Sequence, residues 1–203
     1  MANRVLPRFL TPLEVAEMFG AAEASPRDCM LLKCLYFLGL RNSEAMNLNT
    51  EDIDTMNKTV KVIQGKGRKD RYVPVPGDFA GELRLFIGGR KGLLFAGRGG
   101  KGNLSDRHIR RIVKFYAQKA NVRKYEEVHP HTLRHSYATH LQNSGVPLNV
   151  IQNLLGHARL ETTAIYTHMG LDKAREFVET AFGSQQSAGS GPDRQAPSGR
   201  RQE

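Results

Sequence analysis

Cysteine is scarce. Two in 203 residues exclude a scaffold held by disulfides. Cys29 and Cys34 lie five apart in an apparent helix, on different faces, and are not expected to pair; this suits a reducing compartment. Long hydrophobic runs are also missing. The most apolar stretch, residues 30–40, is too short to span a bilayer and contains Lys33. The opening MANRVLPRFL lacks the apolar centre of a signal peptide, so a cytoplasmic location is expected. What the chain has is an ordinary globular composition, 39% hydrophobic and 25% charged, and enough length to bury a core without metal or disulfide.

Acid is scarce where base is dense. The chain carries 30 Lys+Arg against 20 Asp+Glu, a net of +10. Between residues 61 and 124 there are 17 basic and 4 acidic residues, so this segment is strongly positive while the remainder is slightly negative. A single-sign field confined to one segment points to an extended polyanion as partner, with nucleic acid first among candidates.

The pattern predicts a mainly α fold with a small antiparallel β-sheet. Thr11, Pro12 and Glu14 form a helix start of capping-box type, with Leu13, Val15, Met18, Phe19 and Ala22 expected on the buried side. Ser25-Pro26 opens a second helix that Gly39 ends, and Ser43 is expected to cap a short third one through Met46. Residues 59–64 and 71–75 read as strands flanking a basic, glycine-rich turn at 65–70. Residues 88–103 read as loop. Ser105 then caps a helix with Ile109, Ile112, Val113 and Tyr116 on one side and Arg107, Arg110, Arg111 and Lys114 on the other. Helices are expected at 131–143, 147–155, 160–168 and 171–182. Residues 1–10 read as a linker, 11–183 as one domain, and 184–203 as a disordered Ser/Gly/Gln/Pro/Arg tail.

Four segments carry chemistry: GLRNSE (39–44), the hairpin tip with Lys66 and Lys69, HPHTLRHSYATH (129–140), and LGH (155–157) followed by Tyr166. Each taken singly has an ordinary structural use: a cation at a helix end, a buried His–Arg pair, a solvated basic turn, a core aromatic. Together, Arg41, Arg134, His131, His157, Lys66 and Tyr166 are the parts needed to cleave a phosphodiester with a tyrosine nucleophile. Such a reaction passes through a pentacoordinate phosphorus with extra negative charge. Arg41 and Arg134 can each fork onto its non-bridging oxygens, and His157 adds a donor. His131 can take the phenol proton, whose ordinary pKa is near 10, or hold the phosphate. Lys66, on the hairpin, can protonate the departing 5′-oxygen.

The order and spacing of these segments resemble the tyrosine recombinase (lambda-integrase-like) family, in its Xer-type branch, over about residues 5–182. The resemblance implies that Arg41, Lys66, His131, Arg134, His157 and Tyr166 are catalytic and that Glu44 is a supporting acid. It implies a 3′-phosphotyrosyl intermediate, no need for metal or ATP, and tetramers that pass through a Holliday junction on paired DNA sites. Lys69, Arg107, Arg110, Arg111 and Lys114 are expected to contact the DNA. The amphipathic segment Leu171, Ala174, Phe177, Val178 and Ala181 resembles a helix that docks on a neighbouring subunit; packing within its own chain would use the same face. Family members usually carry an N-terminal helical clamp domain, and the family-like region here begins almost at residue 1, so that domain is expected to be absent from this chain. A type IB topoisomerase-like enzyme and a non-catalytic DNA-binding relative are the alternatives. A zinc protein is disfavoured because no acidic or cysteine partners stand at ligand spacing from the seven histidines.

Overall fold

The computed structural model describes residues 9–63, 70–97, 102–156 and 168–183, which form eight α-helices and a three-stranded antiparallel sheet whose last strand packs against the two C-terminal helices. Helix α1 (Pro12–Ala22) begins with the expected reciprocal cap: Glu14 N–H donates to Thr11 Oγ1, and Thr11 N–H donates to the Glu14 carboxylate at 2.8 Å. Its buried residues are Val15, Met18 and Ala22. Leu13 is 68% exposed, against expectation, because a position two before Val15 lies nearly opposite it on a 3.6-residue period.

Helix α2 (Pro26–Phe37) is the hub. Met30, Leu31, Leu32, Cys34, Leu35, Tyr36 and Phe37 are all buried, and the helix packs against α1, α4 and α6. Gly39 ends this segment with φ of +54°, and a Cβ there would stand 2.6 Å from a Tyr137 ring carbon. Both the left-handed backbone and the close ring exclude a side chain. Gly39→Ala is therefore expected to cost about 2–4 kcal/mol, read as a lower urea midpoint with unchanged slope.

Helix α3 (Asn42–Met46) starts earlier than expected. Ser43 does not cap it; the Glu44 carboxylate reaches back to accept the Arg41 N–H at 2.7 Å, so Arg41 stands at the cap position. The sheet has a strand that the sequence reading omitted, β1 (Ile53–Asp54), beside β2 (Thr59–Val62) and β3 (Arg71–Pro74). Val60 pairs with Val73 and Val62 with Arg71, all four facing inward; Lys61 pairs with Tyr72 on the outer face. The hairpin tip with Lys66 and Lys69 lies outside the described residues.

Helix α4 (Gly77–Ile87) occupies a stretch to which the sequence reading assigns nothing. Helix α5 (Asp106–Lys119) has its expected cap at Ser105 and its expected two faces, with Ile109, Ile112, Val113 and Tyr116 buried. Helix α6 (Pro130–Asn143) and α7 (Leu148–Leu155) follow as expected, α7 closing at Gly156 with φ of +65°. Helix α8 (His168–Phe182) turns its Ala174, Val178 and Ala181 face onto the chain's own core, against α6 and β3. Phe182 stacks on Tyr137 at 5.5 Å, and Glu179 accepts the Gly77 N–H. Of the helix expected at 160–168, only His168 falls within the described residues. Leu10, at the edge of the expected linker, is fully buried, and its N–H donates to Ser136 Oγ at 2.8 Å. Among the described residues no helix is long and apolar enough to cross a membrane.

Candidate active site

Arg41 leaves the left-handed turn that Gly39 makes at the end of α2, and Arg134 stands one turn into α6. The structure brings both to a single carboxylate, Glu44. Arg41 Nη1 lies 2.7 Å from Glu44 Oε1, and Arg134 Nη1 lies 3.7 Å from Oε2. A third guanidinium completes the group. Arg71, at the start of β3, forks onto both Glu44 oxygens at 2.7 and 2.9 Å.

The same three arginines hold the end of α7. Arg71 Nε donates to the Leu154 carbonyl at 2.6 Å, Arg134 Nη2 to that of Leu155 at 2.5 Å, and Arg41 Nη2 to that of Gly156 at 2.9 Å. Three successive carbonyls at a helix C-terminus lack intrahelical partners and carry the negative end of the dipole. Three cations meet both needs. Arg134 Nη1 also donates to the Gly39 carbonyl, which ties α6 to the turn carrying Arg41.

Exposure falls in order across the arginines. The side chain of Arg41 is 22% accessible, Arg134 9% and Arg71 1%. Arg41 and Arg134 can therefore reach a ligand, and Arg71 cannot. Among the described residues in this cluster, three guanidiniums face one carboxylate. Burial, followed by the charges of Arg41 and Arg71, pushes the Arg134 pKa down to about 9 against the opposing pull of Glu44. An entering oxyanion would relieve that strain.

Burial alone would raise the pKa of Glu44. The hydrogen bonds and charge of Arg71, joined by Arg41, override it and hold the carboxyl down at about 2. A depressed acid stabilises the fold above its ordinary pKa of 4.5, and that stabilisation is lost as pH falls toward 2. Glu44→Gln is expected to lower stability at pH 7 by about 3–5 kcal/mol. The gap between wild type and variant should close as pH drops from 4.5 toward 2 in a series of urea melts. A gap independent of pH would contradict the assignment.

His131 is exposed near the start of α6, three residues before Arg134. Asp106 opens α5 and accepts from Asn42 Nδ2, so the Arg41 turn is fixed directly to the basic helix. On α5, Arg107, Arg110, Arg111 and Lys114 are all exposed. Arg110 is paired with Asp106 at 2.6 Å, and Arg111 contacts His108 at 3.0 Å. Lys66, Lys69, His157 and Tyr166 lie outside the described residues.

The sequence reading missed Arg71. The signal was present: Arg71, Val73 and Val75 alternate along one strand, so the arginine shares the inward face with two valines.

Residues 8–171 match the sequence profile of the phage integrase family. A tyrosine recombinase of Thermosipho africanus is 43% identical over 169 residues, covering 82% of this chain and 59% of that protein. The crystal structure of a XerA recombinase superposes with a TM-score of 0.71 at 29% identity, covering 83% of this chain and 64% of that one. A XerH site-specific recombinase, bound to difH substrate in a pre-cleavage complex, gives 0.64 at 28% identity, covering 86% and 55%. The chain spans about three-fifths of the length of the curated relatives it matches.

Proposed function

The chain belongs to the phage integrase family, and on that premise we propose that it is the catalytic domain of a site-specific DNA recombinase. The domain comprises residues 11–183. The observation that carries this reading is the surplus of positive charge where Arg41 and Arg134 converge over Glu44, fixed before any ligand arrives. Donors held in place and aimed at developing charge are usually the largest catalytic contribution.

The reaction is the one that the resemblance to tyrosine recombinases implies, and the charge at Arg41 and Arg134 suits it. The Tyr166 oxygen attacks phosphorus, and the bond to the 5′-oxygen breaks. Arg41, Arg134 and His157 hold the phosphoryl oxygens, His131 takes the phenol proton, and Lys66 gives a proton to the leaving 5′-oxygen. The 3′-phosphotyrosyl bond conserves the energy of the phosphodiester, so a 5′-hydroxyl from a partner strand can attack it and restore the tyrosine. No step calls for metal or ATP. Lys69 and the α5 side chains Arg107, Arg110, Arg111 and Lys114 contact the DNA backbone and groove. A related XerH site-specific recombinase bound to difH substrate supports DNA as the partner. Exchange of strands between two sites calls for tetramers on DNA and for a cytoplasmic, nucleoid-associated location.

Incubation with a nicked suicide duplex, followed by a denaturing gel, tests the reading. A protein–DNA adduct that survives denaturation is expected. No adduct in the presence of intact DNA binding would overturn it. The role of Lys66 has its own test: Lys66→Ala should slow adduct formation on ordinary DNA and recover on a duplex with a 5′-thio leaving group, which needs no proton. Equal defects on both substrates would remove Lys66 as the acid.

A further inference from the structure

We propose that Arg71, which cannot itself touch a ligand, is a positioning residue that sets Arg41 and Arg134 for an oxyanion. The inference rests on the catalytic reading above. Three observations carry it.

First, Arg71 is the most buried of the three guanidiniums at 1% side-chain exposure, and its fork occupies both oxygens of Glu44. A buried cation is tolerated only where it is paired and hydrogen-bonded. Second, Glu44 is shared. With Arg71 in place, Oε1 is shared with Arg41 Nη1, and Oε2, which also accepts the Arg41 N–H, faces Arg134 Nη1. Without Arg71, Glu44 is free to fork onto Arg41 or Arg134, which takes from the ligand the donors that the site needs. Third, Arg71 clasps the Leu154 carbonyl, the first of the three successive carbonyls whose other two are held by Arg134 and Arg41. The strand that leaves the hairpin is thereby fixed to the end of α7, and the relative placement of the two outer guanidiniums follows.

A lysine offers one point charge and no fork. Arg71→Lys should therefore keep affinity for DNA within about threefold and lower the rate of adduct formation at saturating DNA by about a hundredfold or more, as removal of an oriented charge-stabilising donor does. The variant also loses part of what depresses Glu44. The acid limb of the adduct rate per folded molecule, with the folded fraction measured at each pH, should move toward neutral pH, a displacement that simple loss of folding stability does not produce once the unfolded fraction is divided out.

The measurements are DNA affinity, adduct rate at saturating DNA across pH, and orthovanadate binding without DNA, for wild type and Arg71→Lys. The vanadate signal is taken as the part that Arg134→Ala abolishes. A reduced rate with retained affinity and a displaced acid limb supports the inference. A rate within threefold of wild type, or affinity and rate falling together with the folded fraction, overturns it. Failure of wild type to form any adduct defeats the catalytic reading instead; the vanadate arm then decides, with tenfold weaker binding by Arg71→Lys in support and equal or absent binding against. Should Arg71→Lys not fold, Glu44→Asp is measured in its place. It keeps every charge but shortens the shared acid by one methylene, and a wild-type adduct rate there overturns the proposal.

Discussion

Tyr166→Phe should abolish covalent attachment to DNA while leaving DNA affinity within about twofold. The substitution keeps the ring and removes only the oxygen. Binding draws on phosphate contacts from basic side chains, none of which is lost, and those contacts dominate affinity. Cleavage draws on the oxygen alone, and without it no bond to phosphorus can form. The loss should exceed about 10³-fold and fall below detection on a denaturing gel. An adduct that persists in Tyr166→Phe would move the nucleophile elsewhere.

Arg134→Ala has the second largest expected effect. Its side chain donates to the carbonyls of Gly39 and Leu155 and stands 3.7 Å from Glu44, nearly sealed from water. In that setting a guanidinium is worth far more to a developing phosphorane charge than it would be in solvent. Loss of a single fixed donor of this kind typically costs about 10²–10³ in rate. Arg134 also fixes the Gly39 turn that delivers Arg41, so the expected loss lies at or above the upper end. DNA affinity should change little. A fall in adduct rate of less than tenfold would argue against the clamp, and so would full recovery in Arg134→Lys, which restores charge without the fork.

Much of this was legible locally. Caps at Thr11 and Ser105, glycines at 39 and 156 and the two faces of α5 are short-range signals, and the structure follows them. The motif residues Arg41, Glu44 and Arg134 were readable as a set, and they meet. What escaped depends on distance in sequence. Arg71 looks like one more base beside a basic turn; its burial is decided by the Leu154 carbonyl, 83 residues away. Helix α4 begins after Pro76 and contains Gly77 and Gly81, which argue locally against a helix, yet Phe79, Ala80 and Leu83 bury a face and carry it. Ser43 is a good capping residue by type, but the Glu44 carboxylate bonds the Arg41 N–H and starts the helix earlier. The amphipathic face of α8 is compatible with a neighbour or with its own chain by pattern alone; here Phe182 and its companions pack against Tyr137 and Tyr36 of the same chain.

The most direct measurement is to digest the wild-type adduct with nuclease and trypsin and to locate the nucleotide remnant by mass spectrometry. The account predicts a 3′-linked phosphonucleotide on Tyr166, within the tryptic peptide 160–173, together with a free 5′-hydroxyl on the released strand. A remnant on any other residue, or a 5′-phosphate on the released strand, would contradict it.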